Sequence, residues 1–475
     1  MYLIWRAIIY EYGFFRGIDF MSRYLAVFFM VFSVCGFAGD VYEYKLENGM
    51  KVLVKVDKRA PVVTSQVWYR VGSSYEHNGI TGISHMLEHM MFKGTKKYKS
   101  GEARQIISDS GGEENAFTSR DYTAYYQTIA SDRLHICFEL EAERMQNLLF
   151  DEKEFASEHQ VVAEERRLRT DDSPVSTTYE RFFAAAYSSN PYRTPVIGWA
   201  HDIETYNTKK LKQWYRNWYA PNNATLIVIG DVNPDAVYSL AKKHFGAIKA
   251  KKLPEIAISK EITPLGKKEI EVIQPNARVP MLVIGYNTPS AVTAQEKWEP
   301  YALEVMGVIL GGSDSSRIIS DLVRQRQIVS GAWAGYSMTS RLNTLFMLGA
   351  SPALNVKIET VREELFKKID ELKTTSVTET ELMRVKTQIK TAAIYKKDSI
   401  SAQAYELGQL ESIGLGWQFE RDYYDNIEKV TAEQIMAVAK KYLTEKRMTI
   451  ATLLPEQKEL PEQNRLVADK GEENE

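Results

Sequence analysis

Apolar and polar residues alternate through Tyr42-Glu43-Tyr44-Lys45-Leu46 and again through Met50-Lys51-Val52-Leu53-Val54-Lys55-Val56, on either side of Glu47-Asn48-Gly49. A period of two around an Asn-Gly pair predicts a β-hairpin. Residues 61–71 predict another strand, centred on Val67-Trp68-Tyr69, followed by a polar loop over 72–82. The spacing then changes. Residues 82–94 read as a helix, and 101–110 as a second one that stops at Gly111-Gly112. Two strands follow, 115–119 and 122–128, the first a candidate sheet edge. Apolar residues at intervals of three and four predict helices over 134–149 and 152–169, the latter ending before Asp171-Asp172-Ser173-Pro174.

An internal echo sets the organisation. A helix predicted from Asp202 to Trp218-Tyr219 leads into the strand Ala224 to Gly230; one from Asn426 to Tyr442-Leu443 leads into Met448 to Leu454. The blocks align without a gap at an offset of 224, pairing Ile203 with Ile427, Glu204 with Glu428 and Thr225 with Thr449. Helix, loop and strand all keep their lengths, which marks a repeat. The expected fold is α+β: two similar halves, each a mostly antiparallel sheet packed with helices. The linker falls in 251–264, rich in lysine, glutamate and proline. The expected units are 1–38 (N-terminal extension and signal peptide), 41–250, 265–460 and a polar tail, 461–475.

Composition narrows the class. A chain of 475 residues exceeds one ordinary core, and 44% hydrophobic with 26% charged residues describes a soluble globular protein. A net charge of −2 gives no reason to expect nucleic acid as a partner. Met21-Ser22-Arg23, the apolar run 24–37 and Gly36-Phe37-Ala38 together read as an export signal cleaved after Ala38, with translation starting at Met21. The expected location is the periplasm; membrane anchoring by this segment is the alternative. Loss of Cys35 with the signal leaves Cys137 without an intrachain partner.

The chemistry concentrates in Gly82-Ile83-Ser84-His85-Met86-Leu87-Glu88-His89. On a helix His85 and His89 lie one turn apart and Glu88 stands beside them. Imidazoles at i and i+4 are a ready pair of zinc ligands, and the carboxylate between them can take a proton from zinc-activated water. The order His-x-x-Glu-His inverts that of the commoner zinc-protease helix. A catalytic zinc usually takes three protein ligands. Glu158, Glu164 and Glu165 are candidates for the third; Glu158 and Glu165, seven apart, share a helix face, and Glu164 is rotated about 100° away. One ligand and one supporting carboxylate would suit such a pair.

With these motifs the sequence resembles the M16 peptidases, the pitrilysin group that includes insulin-degrading enzyme and the mitochondrial processing peptidase. The resemblance runs from Tyr42 to about Leu454. Its further matches are residues 79–85, Gly111-Gly112 with Asn115-Ala116-Phe117-Thr118, Pro191-Tyr192-Arg193, Gly198-Trp199 and residues 220–225. It implies one zinc ion per chain on His85, His89 and Glu165, with Glu158 supporting the site and Glu88 as general base. It also implies that Asn115, Ala116 and Phe117 form an edge strand pairing with an extended peptide substrate.

The second half departs from the family. It contains no histidine. After Gly311-Gly312-Ser313-Asp314-Ser315-Ser316-Arg317, the family's substrate-holding arginine and tyrosine are replaced by Val323 and Ser330; Arg324 is one place off and Tyr336 six further on. Either a shifted register lets Arg324 reach the site, or a partner supplies the pair. The second is favoured: a homo- or heterodimer in which this chain holds zinc and a metal-free paralogue contributes the rest. A non-catalytic assembly or scaffold subunit is the rival reading.

Overall fold

The structure is a computed structural model of the chain, and it describes residues 41–256, 261–262 and 266–456. The start at Met21, the signal segment and the tail at 461–475 lie outside the described residues. No helix among the described residues is long and apolar enough to cross a membrane.

The hairpin forms at Asn48-Gly49. Strands β1 (Val41–Lys45) and β2 (Lys51–Val56) pair antiparallel from Val41↔Lys55 to Lys45↔Lys51. Gly49 takes φ +89°, and the Asn48 amide donates to the carbonyls of Phe245 and Ile248, tying the turn to the domain. The first half continues through β3 (Val62–Tyr69), α1 (Ile83–Met90), α2 (Glu102–Asp109), β4 (Glu113–Thr118), β5 (Thr123–Ala130), α3 (Leu134–Asn147), α4 (Glu152–Arg166), α5 (Pro174–Ala186), α6 (Ala200–Glu204), α7 (Thr208–Trp218), β6 (Ala224–Gly230) and α8 (Pro234–Phe245). Its strands lie in the order β1-β2-β6-β3-β5-β4, parallel only between β2 and β6.

The second half runs β7 (Lys268–Gln274), β8 (Met281–Thr288), α9 (Glu299–Gly311), β9 (Val329–Tyr336), β10 (Thr344–Pro352), α10 (Ile358–Thr374), α11 (Glu379–Lys396), α12 (Ile400–Ile413), α13 (Phe419–Glu428), α14 (Ala432–Tyr442) and β11 (Met448–Pro455). Its sheet is β7-β11-β8-β10-β9, parallel only between β7 and β11. That order repeats β2-β6-β3-β5-β4 element for element. The offset of 224 carries the bounds of α7 onto those of α14 (208 + 224 = 432; 218 + 224 = 442). The chain therefore has the α+β fold of two similar halves.

Two expected helices are interrupted. The one from Asp202 breaks between Glu204 and Thr208, and the one from Asn426 between Glu428 and Ala432. At each break the last residue is extended and caps a new helix: the Asn207 side chain accepts from the N–H of Lys210, and Thr431 from that of Gln434. Apolar spacing runs through both breaks, so periodicity alone hides them. The helix expected over 152–169 is α-helical only to Arg166 and ends in a π-helical turn, Arg167–Asp171.

The halves exchange helices. From the first half, α5 lies on β7, β8 and β11; from the second, α12 lies on β3 and β6. Trp68, fully buried, packs with Leu407, Ala404 and Trp417. A Cβ on Gly408 would stand 2.1 Å from the Trp68 ring, so this contact requires glycine. Reciprocally, Phe182 is buried against Val283 and Ala451, and a Cβ on Gly285 would stand 2.6 Å from its ring. Each such aromatic contributes roughly 1.5–3 kcal/mol of burial. Lys51–Glu411 at 2.9 Å and Arg341–Asp121 at 3.3 Å add ion pairs between the halves. Cys137 is buried in the first core as a free thiol, which burial pushes up to about 12.

Candidate metal centre

Helix α1 turns Ile83, Met86, Leu87 and Met90 into the core, spaced three and four apart. The opposite stripe carries His85, Glu88 and His89 into a cleft of about 740 Å³. Its N-terminus needs outside help, because the preceding residue, Gly82, has φ +87° and no side chain to cap with. Glu76 fills that role, accepting from the N–H groups of Gly82 and Ser84. The approach is held by Asp202, which accepts from the N–H groups of Gly79 and Thr81. Gly82 and Gly198 meet backbone to backbone; a Cβ on either would stand within 2.3 Å of a carbonyl oxygen of the other segment. This contact accounts for glycine at both positions.

Helix α4 starts at Asp151, whose side chain accepts from the N–H groups of Lys153 and Glu154. Its face toward α1 presents Glu158 and Glu165. Glu164 is turned to solvent, paired with Arg167 at 2.6 Å. Glu165 Oε2 lies 3.3 Å from His89 Nε2 and 3.8 Å from His85 Nε2, and the ligand atoms of these three residues all lie within 4.8 Å of one another. Two ligands each about 2.1 Å from a tetrahedral zinc stand about 3.4 Å apart, so this donor set fits the ion. Glu158 Oε2 is 3.1 Å from His89 Nδ1; a proton on Nδ1 satisfies that hydrogen bond and, in the neutral ring, leaves the Nε2 lone pair for a metal. Lys93 Nζ holds the other Glu158 oxygen at 2.6 Å. Arg169 Nη1 lies 2.5 Å from Glu165 Oε1.

The two rings differ electrostatically. Burial, reinforced by the neighbouring His89, brings His85 down to about 4, so this imidazole is neutral. Burial also disfavours charge on His89, but hydrogen bonds to Glu165 and Glu158 outweigh it and hold that ring above its ordinary value. Glu165 is held low, chiefly by its hydrogen bond with His89. Burial raises Glu88, partly countered by the Thr118 hydroxyl that donates to it.

Strand β4 closes the cleft. It pairs with β5 and forms one edge of the sheet. Asn115, Ala116, Phe117 and Thr118 all line the cleft. Alternation sends their side chains to opposite faces: Thr118 reaches Glu88, whereas the Phe117 ring packs on Trp68, Tyr122 and Tyr405. What Phe117 offers the cleft is its main chain.

Residues from the second half do not line this cleft among those described. Arg324 is paired with Asp314 at 2.8 Å on the exposed surface, Ser330 donates to the carbonyl of Ser351, and Val323 packs against the second core. Tyr336 donates to the carbonyl of Pro289. The shifted register that would bring Arg324 to the metal residues is therefore absent in this arrangement. Three residues at the site escaped sequence reasoning: Lys93, Thr118 and Arg169. Lys93 and Arg169 each follow a site residue by four positions, a helical spacing that could have flagged them.

Residues 51–199 match the family model described as insulinase (peptidase family M16), and residues 205–389 match that of the peptidase M16 inactive domain. The zinc protease PqqE of Helicobacter pylori is 35% identical over 419 residues, covering 86% of this chain and 92% of that protein. The uncharacterized zinc protease YmxG of Bacillus subtilis is 27% identical over 414 residues, 85% of this chain and 96% of the relative. Among solved structures, a protease from Helicobacter pylori superposes with a TM-score of 0.82 at 33% identity, covering 87% of this chain and 99% of the other. The periplasmic protease PqqL from Escherichia coli shares the fold, with a TM-score of 0.75 at 18% identity; the match takes in 92% of this chain but 50% of that one.

Proposed function

This chain belongs to the M16 family of peptidases, and on that premise we propose that it is a zinc metallopeptidase hydrolysing peptides or unfolded polypeptides, with Glu88 as general base. The observation that carries this reading is the convergence of His85 Nε2, His89 Nε2 and a Glu165 oxygen beside Glu88, in a cleft that runs along a sheet edge. One zinc ion held by His85, His89 and Glu165 would polarise the scissile carbonyl and ease the loss of a proton from water. Glu88 takes that proton on its carboxylate and hands it to the departing amine. Burial raises its proton affinity, which suits a general base, and Thr118 fixes the direction of the carboxylate. Glu158 positions His89 through Nδ1, with Lys93 steadying Glu158 in turn. An extended substrate adds as a strand along Asn115, Ala116 and Phe117, bound mainly by main-chain hydrogen bonds.

The chain is further proposed to work as the zinc-bearing subunit of a dimer, exported through the segment 21–38. Val323 and Ser330, where active relatives are expected to carry arginine and tyrosine, favour a metal-free paralogue as the partner. The length of the PqqL chain, about two of these units, is compatible with pairing.

Metal analysis and peptide cleavage test the proposal together. Glu88→Gln is expected to retain zinc while cleavage falls by about 10²–10⁴-fold. Unchanged cleavage would remove Glu88 from the mechanism. The lone chain is expected to cleave weakly and to gain activity with a co-expressed metal-free paralogue; robust cleavage alone would remove the partner from the proposal.

A further inference from the structure

A second cavity, of about 620 Å³, lies between the halves where β4 ends. Thr118 and Val196 line both it and the metal cleft, so the two spaces adjoin. A peptide laid along β4 and continued past Thr118 enters this cavity. Its walls are aromatic, with Phe183 and Tyr192 from the first half facing Trp333 and Tyr336 on β9 of the second.

Two charged side chains line it, Arg120 and Asp121. Asp121 is fully engaged: it accepts from the Ser74 hydroxyl, the Tyr192 hydroxyl, and the backbone and side-chain N–H groups of Arg341. Arg120 is the opposite case. Its guanidinium lies 4.4 Å from the Phe183 ring centre and 5.5 Å from that of Tyr192, and Nε is buried without a partner. Among the described residues no side-chain or backbone oxygen accepts from the guanidinium. The hairpin turn that carries it is fixed, since the carbonyls of Ser119 and Arg120 accept from the N–H groups of Ser73 and Ser74. A positioned cation with unused donors, set in an apolar wall next to a peptide track, is built to take a planar anion in a charge-assisted pair.

We propose that Arg120 forms a subsite for a carboxylate of the peptide substrate, in the inter-half cavity just beyond the metal cleft. Thr118 touches Glu88, and Arg120 lies two residues further along the chain. At about 3.3 Å per residue, the recognised carboxylate belongs to a residue about two or three positions from the scissile bond, all on one side of it. Either an acidic side chain or the C-terminal carboxylate of a short product-side segment could supply it.

This inference rests on the peptidase reading, and the test separates the two. Two peptide series are used with the full zinc-loaded chain. One carries Glu, Gln or Lys at each of three positions on either side of the cleaved bond; the other ends in a free acid or an amide. Binding is measured on Glu88→Gln and cleavage on the unsubstituted chain. At one position, or at the C-terminus, the carboxylate form is expected to bind about tenfold or more tightly than its neutral twin. The series that shows the preference identifies the source. The preference is expected to persist in Arg120→Lys, to fall to about one in Arg120→Gln and to turn toward Lys peptides in Arg120→Glu. Equal binding of acid and neutral peptides by the Arg-containing chain would overturn the subsite without needing any Arg120 variant to fold. A clear acid preference in binding with no cleavage of any peptide, either by the chain alone or with the co-expressed metal-free paralogue, would instead overturn the peptidase reading and leave the subsite standing.

Discussion

The two halves share one scaffold and differ in what their helices carry. Aligned on their N-caps, Asp151 and Thr378, helices α4 and α11 stand 227 residues apart, which places Val385 where α4 has Glu158 and Ala392 where it has Glu165. Val385 is buried in the second core, and neither residue has a group that could bind a metal. Likewise α9, on the β9 side of its sheet, is buried along almost its whole length, whereas α1 keeps one stripe polar. The difference teaches that the candidate metal residues are a replaceable face on a repeated framework. Where the face is apolar, the same helix position contributes core packing; where it carries carboxylates and imidazoles, packing gives way to a cleft.

Converting one half toward the other gives the largest expected effect. Glu165→Ala, which installs the second-half residue, should strip zinc from the chain and abolish cleavage while leaving thermal stability close to the parent. Retained stoichiometric zinc, read by elemental analysis, would show that Glu165 is no ligand.

A buried acid sharpens the comparison next. Glu304 on α9 accepts from the Tyr423 hydroxyl, and burial pushes it up to about 7, with Lys396 opposing and Glu406 adding to the rise. Its folded value is raised above the unfolded one, so between about 4.5 and 7 the folded state holds a proton that the unfolded state lacks. Its contribution is therefore fully present below 4.5 and is lost as pH rises through 7. Glu304→Gln should remove about 1–3 kcal/mol of that decline, seen as a smaller difference between melts at pH 5 and pH 7.5. An unchanged difference would assign the slope elsewhere.

The exchanged helices provide a matched pair. Gly408→Ala drives a methyl into Trp68, and Gly285→Ala drives one into Phe182. Each is expected to cost about 1–3 kcal/mol by chemical denaturation. A large loss at one and none at the other would break the reciprocity of α5 and α12. The smallest effect concerns the equivalent caps: Asn207→Ala and Thr431→Ala should each cost about 1 kcal/mol, and similar values would show that the repeat extends to its energetics.

Much of this was legible in the chain. The Asn48-Gly49 hairpin, the repeat and the facing of Glu158 and Glu165 follow from local periodicity, which a sequence records directly. The breaks at Asn207 and Thr431 were not read, although both are good capping residues, because amphipathic spacing continues across them. The π-helical turn over Arg167–Asp171 has no distinct apolar signature. The ring of Phe117 packs on Trp68 and Tyr405, the latter nearly three hundred residues away in sequence, a contact that no local pattern records. The exchange of α5 and α12 is likewise a matter of tertiary packing, invisible to spacing within either half.

The central claim is that this chain binds its metal through two imidazoles of α1 and one carboxylate of α4. An anomalous difference map collected at the zinc edge from zinc-loaded crystals tests it most directly. The expected result is a single strong peak about 2.0–2.2 Å from His85 Nε2, His89 Nε2 and an oxygen of Glu165. A peak that leaves Glu165 outside its coordination shell, or zinc bound only elsewhere on the chain, would contradict it.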